Sequence, residues 1–258
     1  GRNEIRKPVL IREHYEQLGL DCLVCIGGNG TLKTAYLLSQ EGLNVIGIPK
    51  TIDNDVWGTD LTFGFDSAVN IATEAIDRLH STANSHKRIM VIELMGHNAG
   101  WIALYAGIAG GGDVILIPEI PYDEQKIAQY LTNRFMENKA YSIMVIAEGI
   151  KTPSKEGSAA HYLSRRISEL TGIETRETVL GYIQRGGTPS PMDRVLASRY
   201  GSSAAEMIAR QEYGKMVALR NNEITSVPLA DVAGKLKLVD GNDPLVVKAR
   251  NLGTSFGD

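Results

Sequence analysis

Cysteine is scarce in this chain: two among 258 residues, Cys22 and Cys25, both inside the apolar run CLVCIGG. No second cysteine pair exists to complete a structural zinc site. Positions three apart on a strand face opposite sides, so the pair is badly placed for a disulfide, and a redox role is set aside. Reduced thiols suit the cytoplasm, which is the expected compartment. Charge of one sign is lacking too. A net charge of -3 provides no global field to attract nucleic acid or an anionic membrane, so any anion site must be local. No apolar stretch approaches the ~20 charge-free residues that span a bilayer, and the opening GRNEIRKPV has no signal-peptide apolar core. Internal repeats and low-complexity linkers are likewise absent.

What remains is enough apolar material, 43% of the residues, for one large or two modest cores. Short Val- and Ile-rich runs alternate with longer amphipathic segments, the pattern of parallel strands joined by crossover helices, so the class is α/β. Strands are expected at LVCIG from Leu23, NVIGIP from Asn44, RIMVIELM from Arg88, VILIPE from Val114, YSIMVIAEG from Tyr141 and TVLGYI from Thr178. Helices are expected to start near Thr31, Asp66, Asn98, Asp123, Ala159 and Pro191. In open α/β sheets ligands gather beyond the carboxyl ends of the strands. Five polar or glycine-rich motifs fall there: GGNG, PKTIDND, MGHNAG, EG and GYIQRGG. Their register argues for one composite site.

Each motif has a chemical and a structural reading. Gly27, Gly28, Asn29 and Gly30, followed by Thr31, form a turn whose N–H groups can approach phosphates, or simply a strand-to-helix turn. PKTIDND packs an amine, a hydroxyl, two carboxylates and an amide behind a buried strand. A carboxylate there can take the proton of an attacking hydroxyl and Lys50 can neutralise a transferred phosphoryl group; alternatively Asp53 or Asp55 caps a polar turn. Arg88, Arg176 and Arg185 lie at strand edges, and a guanidinium fork suits phosphate, although most surface arginines are only solvated. Glu148 can accept sugar hydroxyls or cap a helix. Of the five histidines only His97 falls in a motif, with no second histidine at metal-ligand spacing. His14, His80, His86 and His161 are expected on solvated helix faces or at helix ends.

Read together, GGNGT, PKTIDND, MGHNAGWIAL, AEGI and ETRETVLGYIQRGGTPSPMDR resemble the phosphofructokinase family, in its bacterial Lys-containing branch. The closing VAGKLKLVDGNDPLVVKARNLGTSFGD is similar to a tail of that branch, and the family's GGDxPGxN segment would precede Arg2. The resemblance implies phosphoryl transfer from ATP to the 1-hydroxyl of fructose 6-phosphate. It also implies two similar Rossmann-like α/β domains with mainly parallel sheets and an active site in the cleft between them. The donor domain would comprise 1–64 plus 184–227 and the sugar-phosphate domain 65–183 plus 228–258. By position, Asp53 resembles the base, with Thr51, Lys50 and Asp55 beside it. Met95, Gly96, His97, Glu148, Arg176, Tyr182 and Arg185 fall on sugar-phosphate contacts, with Arg88 and Arg176 reaching across a subunit boundary of a homodimer or homotetramer. Arg2, Gly28, Gly30 and Thr31 fall on donor contacts. Asn29 replaces an aspartate that helps hold Mg2+, bringing an amide oxygen without charge. Pyrophosphate users in the family are similar to one another in pairing Asp at position 30 with Lys at position 50. Here Gly30 accompanies Lys50, which favours ATP. The alternatives are a pyrophosphate-dependent phosphofructokinase and, from another class, a non-catalytic sugar-phosphate-binding regulatory subunit.

Overall fold

The computed structural model describes residues 2–153 and 157–258, with side chains from residue 9 onward. Helix α1 (Arg2–Gln17) leads to β1 (Leu23–Gly27), α2 (Asn29–Gln40), β2 (Val45–Thr51) and the short β3 (Phe63–Gly64). There follow α3 (Phe65–His86), β4 (Ile89–Leu94), α4 (Trp101–Ala109), β5 (Val114–Leu116), α5 (Glu124–Met136), β6 (Ser142–Ala147), α6 (Ala159–Thr171) and β7 (Thr175–Val179). A 3-10 turn (Gly181–Arg185), α7 (Pro191–Ala209), β8 (Lys215–Arg220), β9 (Glu223–Pro228), α8 (Leu229–Val232) and α9 (Pro244–Asn251) complete the order. Among the described residues no helix is long and apolar enough to cross a membrane.

The chain divides into two compact units, Gly1–Phe65 with Pro189–Lys237, and Asp66–Thr188 with Leu238–Asp258. Its returns therefore fall later than the expected 184 and 228. Gln184 stays with the second unit because its side chain accepts the Met95 N–H there. Leu229 and Val232 stay with the first because they are buried in its core.

In the first unit the sheet order is β1-β2-β8-β9, with β3 added beside the end of β2. All these pairings are parallel except β8–β9. That hairpin turns at Asn221 and Asn222, both in the left-handed region as a tight two-residue loop requires. Successive residues of β2 and β8 point to opposite faces. Val45 and Met216 pack with Leu32, Ala35 and Leu38 of α2, whereas Ile46, Ile48 and Val217 pack with Leu196 and Tyr200 of α7. Cys25 joins the first cluster and Cys22 the second, so the two thiols do face opposite sides. A Cβ on Gly47 would lie 2.8 Å from Leu32 Cδ2, so the glycine is what lets α2 sit close to the sheet.

In the second unit the order is β5-β6-β4-β7 and every pairing is parallel. Every residue of the central strands β4 and β6 is buried, which is why IMVIEL and SIMVIA read as continuous rather than alternating apolar runs. Ser158 caps α6 and Asp123 caps α5, each accepting a backbone N–H of the first turn. The strand expected from Thr178 through Ile183 lies earlier in the chain. Strand β7 stops at Val179, and Gly181, with φ 53°, opens the 3-10 turn that carries Tyr182 and Arg185. His80, expected on a solvated helix face, instead bridges Tyr141 Oη and the Gly110 carbonyl through its two ring nitrogens.

Candidate active site

In the first unit, two of the motifs meet at the carboxyl ends of β1 and β2. Parallel pairing sets Gly27 beside Pro49, so the turns that follow are neighbours. A Cβ on Gly28 would stand 3.4 Å from Thr51 Cβ, and Asn29 Nδ2 donates to the Asp55 carbonyl at 3.4 Å. Gly28 is the N-cap of α2 and offers no side chain to its first-turn N–H groups, which leaves them directed at whatever anion approaches. Helix α2 begins at Asn29, earlier than the expected start at Thr31, whose side chain instead folds back over Gly27. Neither Gly27 nor Gly30 has a left-handed φ, but a Cβ on Gly27 would collide with the Thr31 side chain whereas one on Gly30 enters open space.

Within the 51–55 turn, Thr51 Oγ1 donates to Asp53 Oδ2 at 3.2 Å and accepts the Asp53 N–H at 3.2 Å. These two bonds fix the carboxylate relative to the strand end. Asn54 and Asp55 are buried, 2% and 4% exposed, while Asp53 is half-buried and Lys50 exposed. A carboxylate pre-oriented by a hydroxyl, beside a lysine and an uncapped helix start, can accept a proton next to a bound phosphate.

The second unit gathers Met95, Gly96, His97, Glu148, Tyr182 and Arg185 beyond the carboxyl ends of β4, β6 and β7. Glu148 Oε1 accepts the N–H groups of His97 at 2.8 Å and Gly96 at 3.3 Å. The carboxylate therefore holds the MGHNAG loop and caps no helix. Gly96 has φ 150° and a Cβ there would fall 2.6 Å from the Ala99 carbonyl oxygen, so no other residue fits. His97, also left-handed at φ 53°, is thereby turned to the exposed side of the loop. The Arg185 guanidinium lies 5.3 Å from the Tyr182 ring centroid, and both side chains are exposed.

Arg88 and Arg176 are not part of that group. Arg88 precedes β4 and Arg176 is the second residue of β7, so both stand at the amino ends of the sheet. With about 3.3 Å of rise per residue, the six-residue β4 separates them from the Met95 loop by about 20 Å. There they converge on one carboxylate: Arg88 Nε donates to Glu174 Oε2 at 2.8 Å and Arg176 Nη2 to Glu174 Oε1 at 2.6 Å. The Arg2 side chain lies outside the described residues. A cavity of about 660 Å³ lined by Ile117, Tyr122, Glu124, Ile150 and Arg166 contains none of the candidate catalytic or binding residues.

Three supporting residues escaped the sequence reading. Gln184, 1% exposed, ties the 3-10 turn to the Met95 loop through its Oε1 at 2.8 Å from Met95 N. Glu119 accepts the Gly100 N–H at the start of α4 and the Val239 N–H at 3.0 Å. Lys237 binds the Asn54 side chain at 3.0 Å. The IQRGG motif contained a signal for Gln184. For Glu119 and Lys237 no local signal exists, because their partners are far away in sequence.

Comparison with known proteins converges on one group. A sequence profile described as Phosphofructokinase matches residues 3–208. A protein of Bacteroides thetaiotaomicron named ATP-dependent 6-phosphofructokinase 3 is 58% identical over 99% of this chain and 76% of its own length. The ATP-dependent 6-phosphofructokinase of Spirochaeta thermophila is 59% identical over 98% of this chain and 74% of its own. Among solved structures, the pyrophosphate-dependent phosphofructokinase of Marinobacter aquaeolei aligns with a TM-score of 0.83 at 25% identity, over 93% of this chain and 67% of that one.

Proposed function

This chain belongs to the phosphofructokinase family, and on that premise we propose that it transfers the terminal phosphoryl group of ATP to the 1-hydroxyl of fructose 6-phosphate. The observation that carries this reading is the junction of the Gly28–Asn29 turn with the Thr51–Asp55 turn, in a chain whose 58–59% identical relatives are named as ATP-dependent. Asp53, oriented by Thr51, accepts the proton of the sugar hydroxyl as it attacks. Lys50 neutralises charge on the transferred group, and Asp55 supports the turn. Gly28, Gly30 and Thr31, with Arg2, receive the donor phosphates at the start of α2.

The first unit is accordingly the donor-binding one and the second the sugar-phosphate-binding one. Arg185 pairs with the 6-phosphate as a charge-assisted fork. Glu148 and the Met95–His97 loop meet the sugar hydroxyls, and Tyr182 walls the phosphate. The Glu174-bridged arginines, Arg88 and Arg176, stand too far along β4 to reach the same sugar, which favours their serving a neighbouring subunit of a homodimer or homotetramer.

Mg2+ is usually held by one or two carboxylates together with substrate phosphates rather than by an all-protein cage. Asn29 and the 53–55 turn offer hard oxygen donors of that kind, and the Asn29 amide is already oriented through its nitrogen. Bound there, the ion would supply neutralisation of phosphate charge.

Lys50 and the pyrophosphate-dependent structural relatives supply the second reading, pyrophosphate as donor. Coupling fructose 1,6-bisphosphate formation to a downstream reaction, with ATP and pyrophosphate supplied separately, tests both. Turnover with ATP is expected. Turnover with pyrophosphate alone overturns the donor assignment, and none with either donor overturns the activity.

A further inference from the structure

The loop from Ile52 to Thr62 carries Asp53 and Asp55, and it is held from 183 residues away. Lys237 Nζ donates to Asn54 Oδ1 at 3.0 Å, to the Thr59 carbonyl at 3.0 Å and to the Asp60 carbonyl at 2.7 Å. Its backbone N–H donates to the Asp55 carbonyl at 2.8 Å, next to an antiparallel bridge between Val56 and Leu236. The Asp55 carbonyl is also the acceptor of Asn29 Nδ2, so one oxygen joins the glycine turn, the carboxylate turn and the Lys237 segment.

Asn54 is the pivot. It has φ 53°, a conformation Asn tolerates better than most residues. Its Oδ1 accepts both the Lys237 ammonium and the Thr62 N–H, the latter at 3.1 Å. One amide oxygen thus spans the base of the loop, between the two aspartates. Removing an ammonium from water is costly unless its protons find acceptors. Burial lowers the Lys237 pKa to about 8, against the attraction of Asp60 and Asp55. An aliphatic side chain would fill the same space without that cost, so the charge itself needs a purpose.

We propose that Lys237 is a positioning residue for phosphoryl transfer: its ammonium locks Asn54 and the 59–60 carbonyls together, and so fixes the direction in which the Asp53 carboxylate points. The assignment rests on the reading of Asp53 as the base. Lys237 touches neither substrate in this scheme and acts through Asn54.

Two kinds of measurement on the whole protein test it. In Lys237→Met, kcat should fall roughly 10- to 100-fold while KM for both substrates stays within about threefold. Asn54→Gly, which keeps the left-handed backbone accessible and removes Oδ1, should do the same. The double variant should be slower than the wild type by clearly less than the product of the two single losses, because the two substitutions share the Lys237–Asn54 bond. Amide exchange at Thr62, read in the unliganded protein, should quicken in Lys237→Met while β4 stays protected. Should Lys237→Met not fold, Asn54→Gly supports or sinks the proposal on kcat alone, because Asn54 Oδ1 is itself the acceptor of the Thr62 N–H. Unchanged Thr62 protection, a kcat near that of the wild type, or losses that multiply in the double variant would overturn it. Exchange does not require turnover, so a wild type without phosphofructokinase activity would refute the function while leaving the Lys237 anchor to be judged by exchange.

Discussion

Replacing Gly30 with Asp separates what the fold needs from what the donor needs. Gly30 lies in the first turn of α2 with ordinary backbone angles, and a side chain there enters open space. Neither packing nor φ demands glycine, which costs a helix up to about 1 kcal/mol relative to Ala. Asp recovers a few tenths of that, and a carboxylate in the first turn contributes about 0.3–1 kcal/mol more through the helix dipole. Gly30→Asp should therefore unfold at the same temperature as the wild type or a few degrees higher. Its effect on ATP is opposite. A carboxylate about 4–8 Å from a nucleotide phosphate, at an effective dielectric near 20, costs about 2–4 kcal/mol. That corresponds to roughly a 30- to 1000-fold loss in kcat/KM for ATP. Pyrophosphate lacks the nucleotide's α-phosphate and should lose far less. Gly30→Ala is the control for bulk, and its ATP kcat/KM should remain within about threefold of normal. The assay is coupled turnover with each donor, alongside thermal unfolding. An Asp variant that keeps near-normal ATP use would refute the reasoning, and so would an Ala variant as impaired as the Asp one.

Asp53→Asn keeps the Thr51 hydroxyl satisfied but removes the proton acceptor, so kcat should fall by about 10²- to 10⁴-fold with substrate KM little changed. Thr51→Val, which leaves the carboxylate and removes its orienting bond, should cost less, about 10- to 100-fold; steady-state kinetics in which Thr51→Val is the slower enzyme would reverse these roles. Arg185→Ala should raise the fructose 6-phosphate KM by roughly 10- to 100-fold through loss of a charge-assisted pair, with the donor KM unmoved. A donor-only effect places Arg185 on the wrong substrate. Asn29→Asp adds a negatively charged hard oxygen, so the Mg2+ concentration giving half-maximal rate should fall in a titration, and an unchanged midpoint removes Asn29 from the metal's surroundings.

By itself the sequence determined the α/β class, the buried central strands and the positions of the glycine and carboxylate turns. These are local properties: IMVIEL and SIMVIA are apolar on both faces, and GGNG and PKTIDND follow directly on their strands. Pattern could not separate a phosphate turn from a structural one, because both use the same glycines. Only in three dimensions do the glycines differ: a Cβ at Gly30 enters open space, whereas one at Gly96 meets a backbone oxygen at 2.6 Å. The hairpin of β8 and β9 was not among the expected strands, and its place beside β2 depends on pairing across more than half the chain. Tertiary structure alone decided that Glu148 grips a loop instead of capping a helix, and that Arg88 and Arg176 share Glu174 about 20 Å along β4 from the Met95 loop. It also decided that Lys237 reaches Asn54. Glu148 meets the 96–97 backbone, Arg88 meets Glu174 and Lys237 meets Asn54 across long stretches of chain, where neither periodicity nor local spacing carries information and only the packing of strands brings the groups within reach.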